Sequence, residues 1–428
     1  MKYIIDTLGC KVNQYETQAV ETLLTERGHS VAAAGERADC VIVNTCAVTA
    51  ESGRKSRQAV RRLMDENPGA LSVVCGCWAQ IDEKAAQALG ADLVLGSGDR
   101  HGLVDAIERA LGDRERVSEV DKPFTRHVFE ELPAGAFEHH ARAYLKIEDG
   151  CENFCSYCII PYARGRVRSL PPERAAEQAR ALQQAGYREL VLTGIEIASY
   201  GTDLPGTPTL TDVVCAIAAA APLLRLRLGS LEPTVVTEDF CRRLAATGRV
   251  CDHFHLSLQS GCDETLQAMN RKYDTTRFYA ATELLRRYFP HCALTADLIT
   301  GFPGETEEHH AATLAFLEMC GFAAMHIFPY SRRPGTPADR APNQLTRAVK
   351  ARRASEAKGV AERLRQDYLA SCVGRTLPVL FETGEGGAWQ GHADNYTLVS
   401  AEGQELRGLV KNVQITGVRG EMLVGVIV

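Results

Sequence analysis

The stretch DGCENFCSYCIIPYARGRVRS, residues 149–169, decides how the chain is read. Cysteines stand at 151, 155 and 158, spaced C-x3-C-x2-C, and arginines follow at 164, 166 and 168. A structural zinc ion closes its shell with four ligands, as two cysteine pairs or with histidines. No fourth cysteine lies close in sequence. An iron–sulfur cube has four irons, each normally held by a cysteine. Three thiolates leave one iron open, free to chelate a small molecule through amino and carboxylate groups. A zinc site remains the alternative at this point.

Working outward, the stretch closes the first of six strand candidates: AYLKIEDGC (143–151), ELVLTGIEI (189–197), LRLRLGSLEP (224–233), HFHLSLQSG (253–261), LTADLITGFPGE (294–305) and AMHIFPYS (324–331). Helical stretches such as PPERAAEQARALQQAG (171–186) separate them. This alternation predicts a partial (β/α)6 barrel whose chemistry sits at the C-terminal ends of the strands. Polar and glycine residues collect there.

The front of the chain repeats the theme. KYIIDTLG (2–9), DCVIVNTC (39–46), LSVVCGC (71–77) and ADLVLGSG (91–98) read as strands of a parallel sheet, with a helix over 13–28 stopped by Gly28. Cys10, Cys46 and Cys77 each fall just after one of these strands. Ends on one edge of a parallel sheet converge, so the three thiols are expected to meet. Cys75, two residues from Cys77 in an extended strand, faces the other way and is expected in the core, and Cys40 at the opposite end.

Residues 1–125 are therefore expected to form an N-terminal α/β unit, 126–140 a linker, 141–370 the barrel with a trailing basic helix, and 371–428 a small all-β barrel. The helix, 346–368, has seven Lys/Arg against three Asp/Glu, whereas the C-terminal barrel has four against six. That barrel lacks the basic footprint of a nucleic-acid module. Positive charge lies instead in GRKSRQAVRR (53–62) and in the helix, as phosphate-tracking or as ordinary solvated faces. The formal net charge of −6 gives no global signal for nucleic acid.

Fifteen cysteines, an odd count, and a start, MKYIIDTLGC, without a basic and apolar export signal argue against a disulfide framework. The longest small-apolar run, VVCAIAAAAPLL (213–224), is too short to span a bilayer. A cytoplasmic location without membrane contact is expected, with metal or redox chemistry for some of the thiols. Cys40, Cys215, Cys241, Cys251, Cys292 and Cys320 read as small buried hydrophobes.

The C-x3-C-x2-C segment after a barrel's first strand resembles the radical S-adenosylmethionine (SAM) enzymes. With TLGCKVNQYET, NTCAVTAESGRKSRQ, CGCWAQ, LQSGCDETLQAMNRKY, GFPGET and FPYSRRPGTPA, nearly the whole chain resembles the methylthiotransferases: N-terminal cluster domain, radical SAM barrel and C-terminal TRAM domain. The resemblance implies two [4Fe-4S] clusters, one on Cys10, Cys46 and Cys77 and one on Cys151, Cys155 and Cys158, the latter binding SAM. One SAM methylates a sulfur on the first cluster. A second yields the deoxyadenosyl radical, which removes hydrogen from the target carbon so that C–S–CH3 forms. Gly194 and Glu196 sit where the superfamily recognises the SAM amino group, and Ser230, Glu232, Gln259 and Asp297 end strands at the same mouth. A strand-end turn or cap is the plain alternative for each.

Three branches modify N6-isopentenyladenosine 37 of tRNA, N6-threonylcarbamoyladenosine 37 of tRNA, or an aspartate of a ribosomal protein. RVRS after CIIPYARG, with CKVNQYE and SRRPGTPA, resembles the threonylcarbamoyl branch. That substrate carries a carboxylate, which Arg164, Arg166 or Arg168 is expected to pair with in a bidentate fork, Arg166 first. The ribosomal-protein branch shares similar arginines, and phosphate contact or a solvated face is the alternative. Tyr162, Phe328 and Tyr330 are candidates to stack on a splayed base, or are aromatic core. The partners implied are tRNA, an electron donor such as flavodoxin or ferredoxin, and an unidentified sulfur donor. A non-catalytic iron–sulfur RNA-binding or electron-carrier protein is the rival class, though a carrier closes its clusters with four cysteines.

Overall fold

The computed structural model describes residues 1–113, 116–133 and 141–428, so 134–140 of the expected linker lie outside the described residues. The N-terminal sheet is parallel, in the order β2-β1-β3-β4-β5-β6: β1 (Lys2–Thr7), β2 (Ser30–Val31), β3 (Cys40–Thr45), β4 (Leu71–Gly76), β5 (Leu93–Leu95) and β6 (Val117–Glu119). Its central strands β3 and β4 are buried at every position, as strands covered on both faces must be. Helices α1 (Lys11–Glu26), α2 (Ala50–Glu66) and α3 (Cys77–Ile81) follow β1, β3 and β4. Thr49 and Ser52 form a capping box that fixes the start of α2.

Six parallel strands make the second unit: β7 (Ala143–Lys146), then, after the short antiparallel pair β8 (Glu148–Asp149) and β9 (Arg168–Ser169), β10 (Glu189–Thr193), β11 (Arg225–Leu228), β12 (His253–Gln259), β13 (Ala293–Thr300) and β14 (Ala324–Pro329). They hydrogen-bond as two triplets, β11-β10-β7 and β12-β13-β14, joined by single parallel bridges at Leu226–Val250 and Leu231–Leu256. Leu190, Leu226, Phe254, Leu294 and the helices outside them share one apolar core. This is the expected partial barrel.

A 25-residue helix, Arg347–Ser371, leads to the closed barrel β15 (Thr376–Glu385), β16 (Ala388–Ala393), β17 (Leu398–Glu402), β18 (Val410–Arg419) and β19 (Met422–Ile427). The helix's arginines are mostly neutralised: Arg353 meets Glu305 at 2.7 Å, Arg352 meets Glu307 at 2.7 Å, and Arg365 meets Glu421 at 3.0 Å. Its net charge therefore overstated what it offers to phosphate. On the stretch 53–62, Arg62 pairs with Asp6 and Arg57 lies over Trp78, while Lys55 and Arg61 have no carboxylate partner among the described residues. No described helix is long and apolar enough to cross a membrane.

Candidate active site

The cysteine loop of the barrel is built by its two flanks. Gly150 takes φ +92, and a Cβ there would run into the Arg166 carbonyl oxygen. β8 and β9 pair across it, and the Cys151 amide donates to the Gly165 carbonyl at 3.0 Å. The Ser156 amide donates to the Met269 carbonyl at 3.0 Å, and the Asn270 side chain to that of Phe154 at 2.9 Å. The arginine segment is thus the closing strand of the cysteine loop rather than an arm free to reach a substrate.

Arg271 Nη1 donates to Cys155 Sγ at 3.0 Å, and its Nη2 meets Glu232 at 3.2 Å. The Asn153 amide bridges Glu196 and Glu232, 3.4 Å from each. Burial pushes the Cys158 thiol up to about 12 and raises Cys151 as well, so loading this triad must release protons. Burial, then Glu232, push the Glu196 carboxyl up to about 7. Beneath them Glu148 is fully buried. Its Oε2 accepts from the Glu196 amide at 2.7 Å, and its Oε1 has no partner. A Cβ at Gly194 would come within 2.6 Å of that Oε2.

The second triad is assembled from three strand ends. β1, β3 and β4 are neighbours, with Thr7 opposite Asn44 and Thr45 opposite Gly76. Cys10 caps the start of α1, Cys46 follows β3, and Cys77 opens α3. Burial above all raises these three thiols, and the thiols add to it: Cys46 acts on Cys10, Cys10 on Cys77 and Cys77 on Cys46. Gly76, at φ +95, leaves no room for a Cβ, which would sit 2.6 Å from the Thr45 carbonyl oxygen. Cys75 belongs to the core on the sheet face with Ile42 and Leu93, and Cys77 to the opposite one with Val43 and Trp78. Cys40 begins β3, at the end away from the triad.

Arg164 is the largest departure from expectation. It is fully buried, its Nε donates to Cys77 Sγ at 3.2 Å and its Nη2 to Asn13 Oδ1 at 2.7 Å, and it pairs with Glu16 and, at 3.4 Å, with Asp149. Glu16 also holds Arg100 at 2.9 Å and Lys146 at 3.3 Å. Arg168 is buried too, 3.4 Å from Asp149, with Nη1 donating to the Arg164 carbonyl at 3.1 Å. These two guanidinium groups have their partners inside the protein, so neither is available to a substrate carboxylate. Arg166 alone is exposed, 3.9 Å from Glu152. Glu16, Arg100, Lys146 and Arg271 were not singled out in the sequence. Nothing local marks a residue whose partners come from other units.

Each triad therefore offers three thiols and one buried arginine N–H aimed at a sulfur. Only Cys262, Glu264 and His309, among the described residues, bring three ligand atoms within 4.8 Å of one another, and there Cys262 Sγ simply donates to Glu264. A lone zinc binds thiolates at ~2.3 Å and draws them to within ~4.6 Å of each other. A four-iron cube gives each thiolate an iron of its own, and a set of three thiols holds three of the four irons.

A cavity of about 800 Å³ opens between the three units. Gly194, Ser230 and Asp297 line it from the barrel, and Gly9, Cys10 and Lys11 from the N-terminal sheet. His392, Asn395 and Tyr396 line it from the C-terminal barrel. Glu196, Glu232 and Gln259 are outside this lining; Gln259 ends β12 with φ +65, a strained conformation for a side-chain-bearing residue. Phe328 borders the cavity half exposed, whereas Tyr330 is buried against Phe302. Tyr162 is exposed and forms a surface cluster with Phe124 and Phe154, ring centroids 6.0–6.3 Å apart.

Residues 145–317 match the family model of the radical SAM superfamily, and residues 2–96 that of the uncharacterized protein family UPF0004. The chain is 36% identical to the threonylcarbamoyladenosine tRNA methylthiotransferase MtaB of Bacillus subtilis, covering 96% of this chain and 92% of that protein. It is 31% identical to the tRNA-2-methylthio-N(6)-dimethylallyladenosine synthase of Pelotomaculum thermopropionicum, over 100% and 97%. Among solved structures it resembles the radical SAM methyltransferase TsrM of Kitasatospora setae, with TM-score 0.59 and 15% identity over 79% of this chain and 77% of that one.

Proposed function

The chain belongs to the radical SAM tRNA methylthiotransferases, and from that premise we propose that it converts N6-threonylcarbamoyladenosine at position 37 of tRNA to its 2-methylthio derivative. The observation that carries the reading is a pair of three-cysteine sites, each with an arginine N–H on one sulfur, and a cavity lined by Cys10 together with the barrel's Gly194, Ser230 and Asp297. Membership of the superfamily brings SAM and a [4Fe-4S] cluster; the second cluster is part of the proposal. The division at residues 125, 141 and 371 belongs to it too.

When bound, a cluster on Cys151, Cys155 and Cys158 supplies the electron that cleaves SAM, and one on Cys10, Cys46 and Cys77 carries the sulfur to be transferred. The protein's part is placement and charge. Arg164 and Arg271 each give an N–H to a ligand sulfur, which steadies negative charge there. Glu196 and Glu232, held by Asn153, offer acceptors for an ammonium group at the edge of the barrel loop. The exposed rings of Phe124, Phe154 and Tyr162 suit stacking with unpaired bases, and Lys55, Arg61 and Arg166 suit phosphate. A reductant such as flavodoxin or ferredoxin and a sulfur donor complete the reaction.

The test is mass spectrometry of tRNA nucleosides from a strain lacking this protein beside its parent. Loss of 2-methylthio-N6-threonylcarbamoyladenosine with build-up of its precursor is the expected result. Loss of the isopentenyl analogue instead would move the substrate to the other tRNA branch. An unchanged tRNA profile would move it to the ribosomal-protein aspartate.

A further inference from the structure

With Arg164 and Arg168 committed to internal carboxylates, a carboxylate-bearing substrate still needs a cation in the cavity. Two of the lining residues are Lys or Arg: Lys11 and Arg365. Arg365 already meets Glu421 at 3.0 Å. Three of the four imidazoles are occupied: His255 bonds Thr295 at 2.9 Å and lies 3.4 Å from Asp297, His253 bonds Thr295 at 3.1 Å, and His392 pairs with Glu382, while His326 rests against the rings of His255 and Phe328, centroids 6.1 and 6.4 Å away. Lys11 differs from Arg365 and from the three bonded imidazoles, and it is the lining's one aliphatic ammonium. It is half-buried, and among the described residues it has no hydrogen bond and no ion pair. Its single polar contact is with the face of Tyr396, Nζ 5.9 Å from the ring centroid.

The surroundings favour an anion. Arg227 and Arg142 act on Lys11 as like charges, partly offset by Glu189, and Arg225 shares Glu189 with Arg227. Arg227 is fixed on Glu189 at 2.8 Å and on the Asp394 carbonyl at 2.8 Å, Arg225 on the Pro378 carbonyl at 2.8 Å, and Arg142 on Glu382 at 2.7 Å. Those bonds fix the guanidinium groups, and Arg227 and Arg142 repel the Lys11 ammonium more than Glu189 draws it. An unpaired, partly desolvated ammonium beside like charges is a poor resting state and a ready site for one carboxylate.

Position in the chain adds the chemistry. Lys11 directly follows Cys10, the cavity's one link to the N-terminal triad. On adenine, C2 and the N6 substituent flank N1 on the same edge of the ring. A base presented with C2 toward Cys10 carries its N6 group into the same corner of the cavity.

We propose that Lys11 is the specificity-determining cation of this cavity, taking the carboxylate that the threonylcarbamoyl group hangs from N6. The inference rests on the threonylcarbamoyl reading of the substrate. It also moves recognition from the arginine segment after Cys158 to the helix start after Cys10.

The experiment uses cluster-reconstituted enzyme as wild type, Lys11→Gln and Lys11→Arg, with three tRNAs bearing threonylcarbamoyladenosine, isopentenyladenosine or unmodified adenosine at position 37. Methylthiolation kinetics and tRNA affinity are read together, with iron content as the check on loading. Lys11→Gln is expected to lower kcat/KM on the threonylcarbamoyl tRNA by about 10- to 100-fold, the weight of one charge-assisted bond. The affinity preference for that tRNA over the unmodified one should vanish with it. Lys11→Arg, which keeps the charge, should restore most of both.

Lys11→Gln with wild-type kcat/KM and an intact preference would overturn the inference while leaving the substrate reading standing. So would equal loss of affinity for all three tRNAs, which marks a phosphate contact, and so would a drop in iron content, which marks a structural role beside Cys10. Wild-type enzyme inert on the threonylcarbamoyl tRNA, but active on the isopentenyl one or on a ribosomal-protein aspartate, would overturn the substrate reading first and the inference with it.

Discussion

The two cysteine triads reach one arrangement by opposite routes. The barrel triad is local: three cysteines in eight residues, on a loop whose flanks pair as β8 and β9. The N-terminal triad is collective, because Cys10, Cys46 and Cys77 meet only once β1, β3 and β4 lie side by side. Yet each has a buried arginine on one sulfur, Arg271 on Cys155 and Arg164 on Cys77. Glycine with positive φ precedes Cys10, Cys77 and Cys151 alike. A loop and a sheet edge have converged on the same device, an open set of thiols with one charged donor. The difference is in what holds the device together, and mutations separate the two.

The largest effect is expected at the cysteines. Cys155→Ala should abolish reductive cleavage of SAM and all methylthio product. Cys46→Ala should abolish product too, while SAM cleavage by the barrel triad persists and roughly half of the iron remains, as expected when each triad holds one cube. Full product from Cys46→Ala would dissolve the comparison, because the N-terminal triad would then have no part in the reaction.

The arginines come next, and they test support rather than chemistry. Arg164 joins the units: Glu16 and Asn13 come from α1, Asp149 from the barrel. Burial opposes ionisation of Glu16, but Arg164, Arg100 and Lys146 outweigh it and hold that carboxyl well below its ordinary value. Removing one partner of such a buried network costs about 3–5 kcal/mol, so Arg164→Met should lower the stability of the metal-free protein by that amount in denaturant unfolding. Arg271 serves its own barrel through Glu232 and Tyr273, and Arg271→Met should cost about 1.5–3 kcal/mol, the loss of bonds to a charged group. Equal losses would mean that the two sites are supported alike. Acid should narrow the gap. Glu16's folded value is depressed, so its contribution is present above the ordinary carboxylate range and fades as pH falls below it.

The same contrast governs what the sequence makes legible. The barrel strands read well because each is a run of apolar residues ending in polar ones, and the cysteine spacing is local. The N-terminal triad is legible one step later, since parallel strands carry their C-terminal ends to one edge. Edge strands β2 and β6, two and three residues long, leave no pattern to read, and β16, AWQGHA, lacks the β-branched residues that mark a strand. The arginines mislead for a different reason. Sequence places Arg164 and Arg168 beside Arg166 but is silent on carboxylates arriving from elsewhere, and Glu16 lies 148 residues away. Lys11 lies within the quoted CKVNQYE but is not itself marked there, and what sets it apart from Arg365 is that, among the described residues, its ammonium has no hydrogen bond or ion pair.

The smallest effect is expected at Arg166, and it decides where the barrel's arginine segment ends and substrate recognition begins. Its side chain is exposed, its nearest carboxylate is Glu152 at 3.9 Å, and it is outside the cavity lining. An exposed pair of that kind contributes about 0–1 kcal/mol, so Arg166→Gln should leave stability unchanged. One lost phosphate contact lowers the slope of log affinity against log salt by about 0.7–0.9, equally for tRNAs with and without the threonylcarbamoyl group. Binding measured across salt concentrations separates this from a recognition role. A loss confined to the threonylcarbamoyl tRNA, with the salt slope unchanged, would return the carboxylate to the barrel loop and take it from Lys11. A uniform loss with a shallower slope leaves the barrel loop to SAM and phosphate, and the N-terminal sheet with both the sulfur and the choice of base.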